Sequence, residues 1–332
     1  MRRLTLLTNP DKCNLRCLLC FLNQRGKPFG MGEMPIEIAK AAIEKYAGDA
    51  GDLPGKEPCG LREVIPSTMG EPLLYSKFEE LLDCCCKKNI PLNLTTNGTF
   101  PGIWGSAAGM ERLLLACSDI KVSCMGFDAP AFDEMMPGIA FDCWRGNVEK
   151  LLDVARHLRE ANSTQASATP CRKIATVSLQ VTLHKKLVPQ APEILAWAES
   201  IGIARIKWNL PVFLSCARGL RDEYGIDGAT VRELRGLLKS SRVRCEGSLF
   251  FGDGLPGKVL PGNVMPGKVT PANSPAGVVP AGAGPCDFFK DEIWILPDGT
   301  EEYCPNPERR FGDRESAGAT CEKCVLCLVP SV

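Results

Sequence analysis

Histidine is nearly missing from this 332-residue chain, where His157 and His184 are the only two. That scarcity argues against His-rich zinc or iron sites and leaves little room for imidazole acid–base chemistry. A net charge of one sign is also missing, because 39 Lys and Arg balance 39 Asp and Glu. This removes the case for a nucleic-acid partner held by phosphate neutralisation. No apolar run approaches the roughly 18–20 residues of a membrane span, so no membrane is expected either. The start, Met1-Arg2-Arg3-Leu4-Thr5-Leu6-Leu7, is only an apolar stub before Asn9, Pro10 and Asp11, and is no secretory signal. A cytoplasmic, reducing setting is therefore expected, where disulfides are rare. Cysteine, by contrast, is abundant at 18 residues. Soft, all-thiolate ligation in such a setting points to iron–sulfur clusters or zinc.

Through about residue 245 the pattern alternates between strand and helix. Strands are expected at Leu4–Thr8, Leu61–Ile65, Leu92–Thr95, Asp119–Cys124, Val177–Leu183 and Ile203–Leu210. Helices are expected at Ile36–Tyr46, Tyr75–Lys88, Asn147–Ala161, Pro192–Ile201 and Ala229–Lys239, with Gly202 as a stop signal. Repeated β-α units imply an α/β fold with a parallel sheet and right-handed crossovers, open or curved into a partial barrel. Functional groups then belong at the C-terminal ends of the strands.

Residues 252–285 break this pattern with eight Gly and seven Pro and a five-residue repeat, Leu255-Pro-Gly-Lys-Val through Met265-Pro-Gly-Lys-Val. Proline at that spacing blocks helix and central strand alike, and the three-residue period of collagen is absent. A linker or insertion is expected over 246–285. Beyond it, Glu292–Leu296 and Thr300–Cys304 flank Pro297-Asp298-Gly299 and read as a β-hairpin. The remaining tail is short, polar and cysteine-rich, so residues 286–332 are expected to form a small domain organised by metal.

Two cysteine constellations stand out. Cys13, Cys17 and Cys20 follow the first strand with Cys-x3-Cys-x2-Cys spacing. Three thiolates on one loop suit a [4Fe–4S] cube with one iron left open, whereas zinc wants a fourth close ligand. Cys286 and Cys304 flank the hairpin, and Cys321-x2-Cys324 closes the tail with Cys327 to spare. Four thiolates in that arrangement suit zinc and iron–sulfur alike.

The first loop resembles the signature of radical SAM enzymes, which carry it after the first strand of a partial (β/α)6 TIM-like barrel. Other landmarks follow in family order. Ser67-Thr68-Met69-Gly70-Glu71-Pro72 is similar to the Gly-Gly-Glu-Pro segment, and Thr95-Thr96-Asn97-Gly98 to the Thr-Asn-Gly ending of the third strand. Val122-Ser123-Cys124 resembles the end of the fourth, and Met136-Pro137-Gly138 the approach to the next helix. The resemblance implies Cys13, Cys17 and Cys20 as ligands of the SAM-binding [4Fe–4S] cluster. It implies Gly70 and Glu71 at the S-adenosylmethionine amino group, Ser123 at its ribose or carboxylate, and Arg145 as the nearest candidate for its carboxylate. Leu19 stands where the family usually has an aromatic residue, and Met69 replaces the first glycine.

The C-terminal pattern resembles the twitch domain, the shortened form of the SPASM extension. It implies Cys286, Cys304, Cys321 and Cys324 as ligands of an auxiliary [4Fe–4S] cluster that accepts electrons. The implied activity is reductive cleavage of S-adenosylmethionine to a 5′-deoxyadenosyl radical, followed by oxidation, epimerisation or crosslinking of a small-molecule or peptide substrate. A flavodoxin- or ferredoxin-type electron donor is implied as partner. The alternative is a non-enzymatic iron–sulfur or zinc-stabilised binding protein on the same fold. Because the first strand starts so early, no leader-gripping domain is expected ahead of it, which lowers the ribosomal-peptide reading. Inner-face candidates are Gln180, Thr182, Lys207, Trp208 and Asn209, with Lys207 a candidate base. Cys124 and Cys216 lie after strands and are candidate hydrogen-donating thiols.

Overall fold

The computed structural model describes residues 2–47, 60–164, 173–250 and 292–302. The linker at 252–285 and Cys286, Cys304, Cys321, Cys324 and Cys327 lie outside the described residues. In chain order come β1 (Arg2–Leu6), α1 (Phe21–Arg25), α2 (Ile36–Ala47), β2 (Leu61–Pro66), α3 (Phe78–Lys87) and β3 (Leu92–Thr96). Next are α4 (Ala107–Ala116), β4 (Cys117–Cys124), α5 (Ala129–Met135), α6 (Phe141–Thr164), β5 (Thr176–Thr182) and α7 (Ala191–Ile201). Then follow β6 (Arg205–Asn209), α8 (Arg218–Tyr224), α9 (Gly228–Lys239), β7 (Arg244–Glu246), β8 (Glu292–Ile295) and β9 (Glu301–Glu302). All six expected barrel strands are present, and Gly202 ends α7 in the left-handed region, φ +80°. Helix α4 escaped the sequence pattern, although Ser106 caps it by accepting from Gly109 N at 3.0 Å.

One sheet runs in the order β7-β6-β5-β4-β3-β2-β1-β8-β9, and every pairing is parallel except β8–β9. The expected hairpin therefore exists, but its first strand also pairs with β1, matching Leu4 with Ile293 and Leu6 with Ile295. This covers the edge that β1 would otherwise expose with unpaired backbone groups. Tyr46 of α2 donates to Glu301 at 2.5 Å, and Lys45 pairs with the same carboxylate at 2.6 Å, fastening the hairpin to the helical layer.

Alternation along the strands separates two faces. Leu4, Leu6, Val64, Leu92, Leu94, Ile120, Val122, Leu179 and Ile206 pack with the helices in one large core. The inner face instead carries Arg3, Glu63, Asn93, Asp119, Lys121, Ser178, Arg205 and Lys207, linked across neighbouring strands by the pairing register. Glu63 accepts from Asn93 at 2.8 Å and Ser118 at 3.0 Å and pairs with Arg3 at 2.7 Å and Arg62 at 3.1 Å. Burial alone would raise its pKa, but Asn93, the two guanidinium groups and Ser118 outweigh it and pull Glu63 down to about 2. A carboxylate depressed in the folded state adds stability above its unfolded pKa and loses it as pH falls toward the folded value. Glu63→Gln should thus cost about 3 kcal/mol near neutrality. Its urea midpoint should converge with that of the unsubstituted protein as pH falls from about 4.5 toward 2. A gap that stays constant through that window would refute the linkage.

Candidate functional site

The Cys13–Cys20 loop leaves the C-terminal end of β1 and is clamped from four sides. On the β2 side, Asn9 Nδ2 donates to Glu71 O at 2.7 Å, and Glu71 N donates to Lys12 O at 2.9 Å. Gly70 fits beneath this turn because it has no Cβ and takes φ +82°; a Cβ there would lie 2.1 Å from Asn9 O. On the β3 side, Asn97 Nδ2 donates to Asn14 Oδ1 at 2.9 Å and to the Cys13 sulfur at 3.7 Å. Thr99 closes that cluster, its N–H donating to Asn97 Oδ1 at 3.0 Å, while Asn14 Nδ2 donates to Thr99 Oγ1 at 2.9 Å. From the α5–α6 side, Leu18 N donates to Met135 O at 3.0 Å and Arg16 N to Pro137 O at 3.3 Å. The fourth clamp is Gln24, whose amide donates to Leu19 O at 2.8 Å and Val212 O at 3.0 Å and accepts from Leu214 N at 2.8 Å.

Glu71 is fully enclosed, and its carboxylate accepts from Thr96 Oγ1 at 2.9 Å, Asn97 N at 2.8 Å and Leu73 N at 3.3 Å. Burial pushes it up to about 7 against those three donors. Its side chain therefore ties the segment after β2 to the end of β3, and only its backbone is turned to the loop. Asn97→Ala removes the amide at the Cys13 sulfur together with the link to Asn14. Outer partners of metal ligands are typically worth about 10- to 100-fold in metal retention. The variant should release iron to a chelator faster by that order, with a urea-unfolding loss of only about 1–2 kcal/mol. Unchanged iron release would show that the amide does not support the loop.

The surroundings of the three thiols disfavour their ionised form. Burial raises the pKa of all three, and for Cys17 the neighbouring Cys20 and Cys13 add to it. Cys20 is pushed up to about 11. Bare thiolates are thus unfavourable here, and a bound metal is the kind of partner that makes them stable. Among the described residues no three His, Cys, Asp or Glu side chains converge on a single ion. Three thiols on one loop are the donor set of a [4Fe–4S] cluster with one open iron, whereas zinc wants a fourth close ligand.

The other sequence candidates fall in different places. Ser123 sits on the inner face near the end of β4, in register with Gln180, which in turn matches Lys207. Lys207 is buried 3.5 Å from Glu246, and burial followed by Arg205 lowers its pKa. Asn209 accepts from Ser248 N at 3.2 Å. Trp208 does not share that face: alternation turns it into the helix-packed core, where its indole donates to Cys245 at 3.3 Å. Cys124 likewise packs in that core, its thiol donating to Gly126 O at 3.4 Å, and burial pushes it up to about 12. Cys216 is exposed and donates to Gln24 O at 3.3 Å. Arg145 pairs with Glu149 at 3.8 Å on α6 and lies over the rings of Trp197 and Phe141, at 5.3 and 5.7 Å. Lys121, which carries no sequence signal of its own, is 6% exposed on the inner face one row below Ser123.

Comparison with known proteins agrees with this geometry. The Radical SAM superfamily profile matches residues 10–170, from the cysteine loop past the end of α6. No curated protein matches the chain in sequence. SuiB of Streptococcus suis bound to S-adenosylmethionine superposes with a TM-score of 0.57 at 17% identity, over 91% of this chain and 60% of that one. SuiB bound to the precursor peptide SuiA gives 0.57 at 14% identity, over 93% and 60%. A histidine-tagged anSMEcpe with bound AdoMet gives 0.50 at 14% identity, over 74% and 63%. The chain thus spans about 60% of the length of SuiB, and at these identities the likeness is one of fold. The cysteine loop and strands β2 to β4 lie within the span that matches the Radical SAM superfamily, and the sheet around them shares its fold with SuiB.

Proposed function

We propose that this chain cleaves S-adenosylmethionine reductively and uses the product radical to take a hydrogen atom from a small-molecule or peptide substrate. The observation that carries the reading is the four-sided clamp on the Cys13–Cys20 loop at the C-terminal mouth of the sheet. A [4Fe–4S] cluster held there by three thiolates would supply a coordination position for the cofactor and the electron for its cleavage. Cys13, Cys17 and Cys20 would hold it. The backbone at Gly70 and Glu71 would bind the cofactor's amino group, fixed in place by the buried Glu71 carboxylate. Ser123, on the inner face of β4, would meet the ribose or carboxylate. Arg145, occupied by Glu149 and two aromatic rings, lends no support to a carboxylate role.

Oxidation, epimerisation or crosslinking is the reaction class, with a flavodoxin- or ferredoxin-type protein supplying the electron. Cys286, Cys304, Cys321 and Cys324 would hold an auxiliary [4Fe–4S] cluster in a twitch-like extension, accepting the electron that the substrate radical gives up. Their spacing in the sequence is what supports this. SuiB has been crystallised with a precursor peptide, which supports a peptide as one substrate class. The test is anaerobic reconstitution with iron, sulfide, S-adenosylmethionine and a reductant. 5′-Deoxyadenosine should appear, and deuterium from the correct labelled substrate should enter it. A protein that retains only zinc and forms no deoxyadenosine would return the chain to the non-enzymatic alternative.

A further inference from the structure

The inner wall of β4 to β6 carries more positive charge than its own carboxylates occupy. Glu63 is filled by Arg3, Arg62, Asn93 and Ser118. Asp119 accepts from Ser178 at 2.7 Å and is paired with Arg205. Glu246 is shared by Arg205 at 3.2 Å, Arg244 at 3.2 Å and Lys207 at 3.5 Å. Lys121 forms no hydrogen bond or ion pair among the described residues, although it is only 6% exposed. It senses Asp119 and Glu63 at longer range and is opposed by Lys207 and Arg3. An ammonium group buried without a partner is costly, and so is one buried beside a second cation. Burial, then Lys207, pull Lys121 down to about 7, the direction expected of a site short of one negative charge.

We propose that Lys121 and Lys207 form an anion subsite that anchors a carboxylate of the substrate. This rests on the radical reading above and adds the substrate class to it. The register supplies the orientation. Lys207 matches Gln180, and Gln180 matches Ser123, so Lys207 lies in the row of Ser123 near the mouth. Lys121 lies one row deeper, level with Thr95 and Ser178. A carboxylate held between them points the rest of the molecule toward the cysteine loop. A second buried cluster around Leu7, Met69 and Trp294 stands apart from the helix-packed core, and the partly buried Leu22, Phe29 and Met31 packed on it offer that body an apolar face. The substrate class is therefore a carboxylate with an apolar body, such as an apolar residue at the C-terminus of a peptide.

The probes are N-acetyl-leucine and its neutral amide, added to the reconstituted, S-adenosylmethionine-loaded full chain without reductant. Binding is read by saturation-transfer NMR. The acid should bind, and the amide should bind about tenfold more weakly, the loss expected for charge-assisted hydrogen bonds. Lys121→Met and Lys207→Gln should each weaken the acid by about the same factor and leave the amide unaffected. Lys121→Met should also hold or raise the melting temperature, since it replaces a costly buried ammonium with an apolar group of similar length. Equal binding of acid and amide, or acid binding that survives both substitutions, overturns the subsite. A matching loss of S-adenosylmethionine affinity in the variants would assign the pair to the cofactor's carboxylate and overturn it as well. Deoxyadenosine formation by the unsubstituted enzyme is scored separately. If it fails, the radical reading falls; if it succeeds without acid preference, only the subsite falls.

Discussion

Cys17→Ala is expected to abolish deoxyadenosine formation, by on the order of a thousandfold or more, or roughly 4 kcal/mol of transition-state stabilisation. Cys17 lies between the other two sulfurs in sequence, and both neighbours disfavour its thiolate. A cube held by two thiolates instead of three loses the geometry that leaves one iron open. The expected signature separates ligation from folding. Iron content after reconstitution should drop sharply, along with the broad visible absorption of the cluster. The urea-unfolding free energy of the apoprotein should fall by only about 0.5 kcal/mol, because the substitution removes one small, partly buried sulfur. The clamps on this loop run through backbone groups and through Asn97, Asn14 and Gln24, and Cys17 Sγ takes no part in them. Full activity in Cys17→Ala would remove the loop from the chemistry altogether.

The barrel strands and the cysteine loop were legible because their signals are local. Apolar runs bounded by Gly and Pro mark β1 to β6, and the thiolate spacing marks the loop. Glu292–Ile295 also reads as a strand, but its parallel pairing with β1 joins residues almost 290 positions apart. Nothing local encodes such a partner, since the hydrophobic pattern fixes which side faces the core and not which strand lies alongside. Lys121 was hidden for a related reason. In Ile120-Lys121-Val122 the lysine alternates with buried apolar residues, which reads as a solvent-facing position on a one-sided sheet. Burial of that face, with Glu63 and Arg3 close enough to act on Lys121, makes it an interior. Trp208 shows the converse: proximity to the strand end suggested the inner face, and strict alternation placed it with Ile206 in the helical core. Gln24 gave no signal at all, because its partners at Val212 and Leu214 come from the far side of the sheet.

Gly70→Ala should be the most damaging single-methyl change in the described chain for the loop's support. Two costs combine at this position. The φ of +82° lies in the left-handed region, where a Cβ costs about 1–2 kcal/mol. The added carbon would also sit 2.1 Å from Asn9 O and 3.0 Å from Lys12 O, both backbone atoms that cannot swing aside as a side chain would. Relief requires lifting the 9–12 turn, and with it the Asn9–Glu71 and Glu71–Lys12 hydrogen bonds that seat the cysteine loop. Strain and overpacking together give an expected loss of about 3–4 kcal/mol in urea unfolding of the apoprotein. Gly202→Ala is the matched control: its φ is +80°, and a Cβ there meets nothing within 4 Å. It should lose only the backbone cost, about 1 kcal/mol. Gly70→Ala should in addition retain less iron on reconstitution, while Gly202→Ala should retain as much as the unsubstituted chain. Equal losses for the two variants would mean that backbone conformation alone selects glycine at position 70, and that the close approach to Asn9 contributes nothing.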